Sequence, residues 1–401
     1  VEVMSEKTSR QLLSCKRKNG VSSKDPSIRK CELVRDFGYS CETSSVTTDD
    51  GYILEVDRVG RRGKNNTSSS EDSSRGIPVL LVPGILCESG IWFLNFPSQS
   101  PGFLLADHGY DVWAMNTREI AFRSRHLYLS QKDDRYWQWS FNEIGRYDVA
   151  AFIDLIINIT GVAKLPLLVY SQGFTASMVL LSTRPEYNDK VEILMAYAPV
   201  GYLTHVGYPL RLLIPFAGPL RLLLDPGLDS GYIHIPSALE RLLQSLCAFV
   251  GGTLCSLPLT LTLLDSAQQI NKTRIPVYLP HVLVGTSIQD LIHYVQVYRK
   301  KNLQMYDYRI LENIKQYGQV KPPVYPLERI ALPVALFSSE GDTVADKADV
   351  SHLVERLGPR ILFNHIVPPT DFRHADFIIS YHATGFLHKL MIDTLDSRYG
   401  K

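Results

Sequence analysis

Three residues, far apart in the chain, have the types and the order that acyl transfer by a serine requires. Ser171 ends the run Leu165-Pro166-Leu167-Leu168-Val169-Tyr170 and is followed by Gln172-Gly173-Phe174-Thr175. An apolar run that stops at a small polar residue, with Gly two places on and a helix opening behind it, is the layout of a nucleophile elbow. The elbow lifts a hydroxyl above a sheet edge, and the helix N-terminus behind it favours developing negative charge. The full signature is Gly-x-Ser-x-Gly, and Val169 stands in the first Gly position. Taken alone, the stretch is equally readable as a Ser-Gly turn closing an ordinary βα unit. A serine nucleophile needs a base for its proton, a carboxylate to orient that base, and donors for the oxyanion. Asp342, in Glu340-Gly341-Asp342, and His374, in Asp371-Phe372-Arg373-His374-Ala375-Asp376, follow Ser171 in the order Ser, Asp, His. Each alone reads as well as a solvated turn Asp and a surface His; the ordered set argues for a triad. The oxyanion donors are expected to be backbone N–H groups of Gln172, next to the nucleophile, and of Ile85, after the Val79–Val82 run. Gly84 before Ile85 allows close backbone approach.

These residues need a sheet to carry them. Ile77–Val82, Tyr110–Met115, the run before Ser171 and Val191–Tyr197 read as buried strands, and helical signals alternate with them. The clearest is the capping box Ser140-Phe141-Asn142-Glu143. Leu332–Ser338 and Arg360–Ile366 resume the pattern around a helix at 346–357, and a final amphipathic helix closes the chain. Alternating strand and helix predicts an α/β fold with a mostly parallel central sheet. Residues 41–200 and 326–401 form the expected core. Residues 1–40, polar and basic, are expected as an N-terminal lead-in, pinned by Cys15 or Cys31.

Between the two core blocks, residues 201–325 break the alternation. Prolines 209, 215, 219, 226 and 236 cut the segment into short helices, and it is strongly apolar around 210–224 and 247–264. Gly251-Gly252 and Pro258 interrupt the second run, so an inserted helical cap or lid with an exposed apolar face is preferred to a transmembrane span. Such a face suits a lipid–water interface.

The 401 residues are 45% hydrophobic and carry a formal net charge of +1, which gives no field for nucleic acid. Six cysteines without a C-x-x-C pair, and Asn-x-Ser/Thr sequons at Asn65, Asn66, Asn158 and Asn271, fit a secreted or lumenal protein with some disulfides. No signal-peptide core is visible, and the chain reads as a mature or trimmed form. No zinc signature, P-loop or dinucleotide fingerprint is present, so neither metal nor cofactor is expected.

From about Gly38 onward the chain resembles the acid lipases, the gastric and lysosomal group within the α/β-hydrolases. The resemblance is carried by Val46–Leu54, Phe103–Asp107 with Gly109–Trp113, Asn116-Thr117-Arg118, Ser124-Arg125-His126, Trp139–Glu143 with Tyr147-Asp148, and Tyr170–Gly173. It continues in Gly285-Thr286-Ser287 with Gln289 and His293, Tyr306-Asp307-Tyr308, Gly341-Asp342 with Ala345-Asp346, and His374–Phe377. It implies Ser171 as nucleophile, Asp342 as orienting acid, His374 as base, and Ile85 and Gln172 as oxyanion donors, with the cap over the acyl-chain site. Three positions depart from the family pattern. Val169 replaces a Gly, Pro83 replaces a His, and Met115-Asn116-Thr117-Arg118-Glu119 replaces a Gly followed by Asn-Ser-Arg-Gly. A β-branched side chain at 169 crowds the elbow, and Pro83 removes an N–H and stiffens the oxyanion loop. Cys247 and Cys255 match the family's cap cysteines in part, so its cap disulfide is in question. Two readings follow: a monomeric hydrolase of neutral lipid esters (triacylglycerol or cholesteryl ester) working through an acyl-serine, or a catalytically impaired relative that binds or carries lipid. A short-chain esterase is disfavoured by the apolar cap.

Overall fold

The computed structural model describes residues 31–62, 76–208, 210–213, 231–233, 269–282 and 284–401. The sequons at Asn65 and Asn66, Cys15, Cys247 and Cys255, and most of the two apolar runs of the cap lie outside the described residues.

The sheet begins inside the stretch expected as a lead-in. A short helix α1 (Glu32–Arg35) leads to β1 (Tyr39–Thr47), and a Cys31–Cys41 disulfide joins the two. Thr48-Asp49-Asp50-Gly51 then turns the chain, with Gly51 at φ 95°, into β2 (Tyr52–Arg62). The remaining strands are β3 (Pro78–Val82), β4 (Asp111–Met115), β5 (Ser124–His126), β6 (Leu165–Tyr170), β7 (Val191–Tyr197), β10 (Val334–Ser338) and β11 (Ile361–Ile366); β8 (Tyr232–Ile233) and β9 (Thr286–Ser287) form a separate pair. The large sheet runs β1-β2-β4-β3-β6-β7-β10-β11, with β5 on β2. From β4 to β11 every pairing is parallel, while β1, β2 and β5 are antiparallel. The expected mostly parallel α/β sheet is the one observed.

The central strands explain the continuous apolar runs. Every residue of β3, β4, β6 and β10 is buried, as strands covered on both faces by crossover helices must be. The connecting helices are α2 (Pro101–Asp107), α3 (Ala150–Thr160) and α4 (Gln172–Thr183), followed in the inserted segment by α5 (Ile288–Lys300) and α6 (Ile310–Tyr317), and then by α7 (Lys347–Leu357) and α8 (Lys389–Tyr399). The capping box closes at Ser140 and Glu143, and a π-helical turn, Ile144–Val149, leads into α3. A Cβ on Gly145 would lie 2.3 Å from the Ala176 carbonyl oxygen. Only a glycine lets this turn rest on the backbone of α4, whose residues 172–182 are all buried.

Candidate active site

The elbow is a consequence of β6 ending under α4. Ser171 has φ 52° and ψ −116°, a region that costs a residue with a Cβ about 1–3 kcal/mol and persists only where the surroundings over-determine it. Two constraints do so. The Ser171 N–H donates to the Tyr197 carbonyl at 3.1 Å, and the Phe174 N–H donates to the Ser171 carbonyl at 3.0 Å. A Cβ on Gly173 would fall 2.6 Å from the Val82 carbonyl oxygen, so the helix reaches the sheet only with glycine there.

The residue two before the serine obeys a different rule. Val169 is wholly buried in β6, in register with Val82 on β3 and Ala196 on β7. Its branched side chain suits a strand. The hydroxyl of Ser171 is not displaced: its Oγ lies 2.8 Å from His374 Nε2.

Asp342 and His374 come from the loops after β10 and β11. His374 Nδ1 lies 2.8 Å from Asp342 Oδ2 and 3.1 Å from Oδ1. Asp342 Oδ1 also accepts the backbone N–H groups of Val344 and Ala345, at 2.8 and 3.0 Å. Those bonds fix the carboxylate before the histidine arrives. Gly341 brings the two loops together, because a Cβ there would meet the Thr370 oxygen at 2.6 Å. The Tyr170 hydroxyl donates to the His374 carbonyl at 3.1 Å and ties the histidine loop to the elbow strand. Ser171, Asp342 and His374 are 4, 2 and 6% exposed, so the hydrogen-bonded chain Ser171–His374–Asp342 is screened from bulk water. With Nδ1–H donated to Asp342, Nε2 is free to accept the serine proton, which is the proton path of acyl transfer.

On the other side of Ser171 lies the loop Pro83–Leu86. A Cβ on Gly84 would touch the Tyr170 ring at 2.8 Å and the Ser171 Cβ at 3.1 Å. The absence of that Cβ lets the loop lie directly against the elbow, with Ile85 following. Gln172 opens α4, where the first-turn N–H groups have no intrahelical partner. Pro83 costs the strand no ladder bond, since β3 ends at Val82.

The sequence reading did not single out Glu119 or Tyr170 as functional. Glu119 was visible only as a departure from a family motif; the hydroxyl bond of Tyr170 depends on a partner 204 residues away. The cap residue His293 is buried against Phe141, between Ser140 Oγ at 2.9 Å and the Gln304 carbonyl at 2.8 Å. Burial pushes its pKa down to about 3, so it is a neutral structural histidine. Cys31 and Cys41 lie beside Asp57, but their sulfurs are consumed by the disulfide.

A sheet of this topology, a serine elbow at its centre and an Asp–His pair on the following loops define an α/β-hydrolase. The comparisons agree. Residues 31–96 match the family model described as "Partial alpha/beta-hydrolase lipase region". The chain is 31% identical over 377 residues to a tear acid lipase-like protein of Mesocricetus auratus, covering 91% of this chain and 90% of that one. It is 32% identical over 371 residues to the gastric triacylglycerol lipase of Bos taurus, covering 90 and 89%. A putative aryl esterase from Burkholderia cenocepacia superposes with a TM-score of 0.51 at 17% identity, over 90% of this chain and all of that one, and shows the shared fold. The chain belongs to the acid lipase family.

Proposed function

We propose that the protein is a serine-dependent carboxylic ester hydrolase that cleaves neutral lipid esters, triacylglycerol or cholesteryl ester, through an acyl-serine intermediate. The observation that carries this reading is the continuous hydrogen-bonded chain from Ser171 Oγ through His374 to Asp342. In the reaction His374 takes the Ser171 proton as Oγ attacks the ester carbonyl, and the backbone N–H groups of Ile85 and Gln172 receive the oxyanion. The alcohol leaves with the proton from His374, and water repeats the sequence to release the acid. Residues 201–325 act as the cap over the acyl chain, on the core of 41–200 and 326–401. Family membership supports a lipid ester as substrate. The Cys31–Cys41 disulfide and an exposed sequon at Asn158 support a secreted or lumenal location. Among the described residues no helix is long and apolar enough to cross a membrane.

A fluorophosphonate probe tests the reading. It should label the wild type and not Ser171→Ala, and emulsified triacylglycerol or cholesteryl ester should be hydrolysed by the wild type alone. A wild type that binds lipid but neither labels nor turns over ester would mean that the fold serves as a carrier.

A further inference from the structure

Glu119 is completely buried behind the serine, on the loop that follows β4. Its carboxyl receives donors from both sides of the oxyanion site. Oε1 accepts the Leu86 backbone N–H at 3.3 Å, and Oε2 accepts the Gln172 side-chain amide at 3.1 Å and the Thr117 hydroxyl at 2.9 Å. The Thr286 hydroxyl of β9 is a further hydrogen-bond partner of the carboxyl. Leu86 sits at φ 62°, a strained conformation that needs an external hold. Among the described residues the carboxyl is the one hydrogen-bond partner of the Gln172 amide, whose Oε1 is buried without any. One side chain thus spans the two backbone segments that flank the serine.

We propose that Glu119 is a positioning residue of the oxyanion hole, clamping the Ile85–Leu86 segment to Gln172, and that the clamp serves catalysis in its neutral form. This rests on the hydrolase reading above. The charge argument follows from what surrounds the carboxyl. The groups that face it are Cys87, just after the Pro83–Leu86 loop, Tyr232 on β8, and Asp290 and Tyr294 on α5. None is a cation. Neighbouring Arg118 is spent on Asp50 and Asp148. The single Thr286 hydroxyl proton goes to Asp290 at 3.2 Å, so two buried acids meet at one hydroxyl with one proton between them and disfavour each other's ionisation. Burial pushes the Glu119 pKa up to about 7. An ionised Glu119 would set a full negative charge behind the donors that must receive the oxyanion. Protonated at Oε1, it carries no charge, still accepts from Thr117 and Gln172 at Oε2, keeps a lone pair on Oε1 for the Leu86 N–H, and turns its O–H to the Thr286 oxygen.

The test uses a soluble p-nitrophenyl butyrate substrate, with kcat and KM measured from pH 5 to 9 for the wild type, Glu119→Gln and Glu119→Ala, and thermal unfolding of each protein as a fold check. Glu119→Ala should lower kcat at pH 6 at least tenfold, with KM within about threefold, and Glu119→Gln should recover most of that loss. The wild-type kcat should fall as pH rises through about 7, and Glu119→Gln should lack that fall. If Glu119→Ala does not fold, the pH profile of Glu119→Gln decides. A folded Glu119→Ala with wild-type kcat, or a Glu119→Gln profile that keeps the fall near 7, overturns the proposal and leaves the hydrolase reading standing. A wild type that hydrolyses no ester and takes up no fluorophosphonate overturns both.

Discussion

The two flanks of Ser171 are held by different means. On the acid–base side, backbone does the holding. Asp342 takes two main-chain N–H groups, Gly341 permits loop-on-loop contact, and the His374 carbonyl receives the Tyr170 hydroxyl. Asp342, His374 and their immediate neighbours all keep ordinary negative φ angles. On the oxyanion side, Leu86 and Ser171 are non-glycine residues with positive φ, and a buried carboxyl bridges Leu86 and Gln172, the residue after the serine. The contrast is that the triad arm is held mainly by main-chain bonds and close backbone contact, whereas the oxyanion arm is bridged by one buried side chain.

Four experiments sharpen or break that contrast. The largest effect is expected at the orienting acid. Asp342→Asn keeps the main-chain bonds at Oδ1 but spoils the tautomer of His374, and should lower kcat by about 10⁴ with little change in unfolding temperature. A loss below tenfold would remove Asp342 from the proton path. Next is Gly341→Ala, which forces a methyl group against the Thr370 and Phe372 carbonyl oxygens. Overpacking of this kind costs about 1–3 kcal/mol and should lower both denaturant midpoint and kcat; unchanged stability would show that the loops are not held by close backbone contact.

The third effect is a pH dependence of stability. The folded pKa of Glu119, about 7, lies above its ordinary carboxyl value. Its neutral form is therefore the one that favours the fold. That contribution is complete below the unfolded pKa, declines as pH rises, and is gone once pH has passed through about 7. Unfolding midpoints of wild type and Glu119→Gln, measured from pH 4 to 8, should diverge in that direction; parallel curves would mean that Glu119 ionises freely in the fold. The smallest effect belongs to Val169→Gly. Because Ser171 and His374 already meet at 2.8 Å, kcat should change by less than about threefold, while the fold loses roughly 1 kcal/mol or more from a glycine in a buried strand. A large gain in kcat would show that Val169 strains the elbow after all.

Much of this architecture is legible in the residues. The unbroken apolar runs of β3, β4 and β6 announce a parallel sheet, since only strands buried on both faces lack alternation. Ser140 and Glu143 mark a helix start by local chemistry alone. What escaped has a common cause. Among the described residues β1 lies at the edge of the sheet, with mixed burial and β2 as its partner, so its Ser- and Thr-rich sequence resembles loop. Cys41 as the partner of Cys31 depends on how the chain folds back across β1, which spacing does not specify.

The sequence by itself determined the alternation of the central strands with helices, the serine at the end of a buried run, and the order of the acid and histidine behind it, because periodicity, turn chemistry and motif order are local properties of the chain. Only the tertiary structure decided that Ser171, Asp342 and His374 meet, and that Glu119 reaches Leu86, 33 residues before it, and Gln172, 53 residues after it. A hydrogen bond forms where the packing of β3, β4 and β6 sets donor and acceptor about 3 Å apart. A buried carboxyl changes its proton affinity by the water it loses and the charges it faces, and neither is written in the residues beside it.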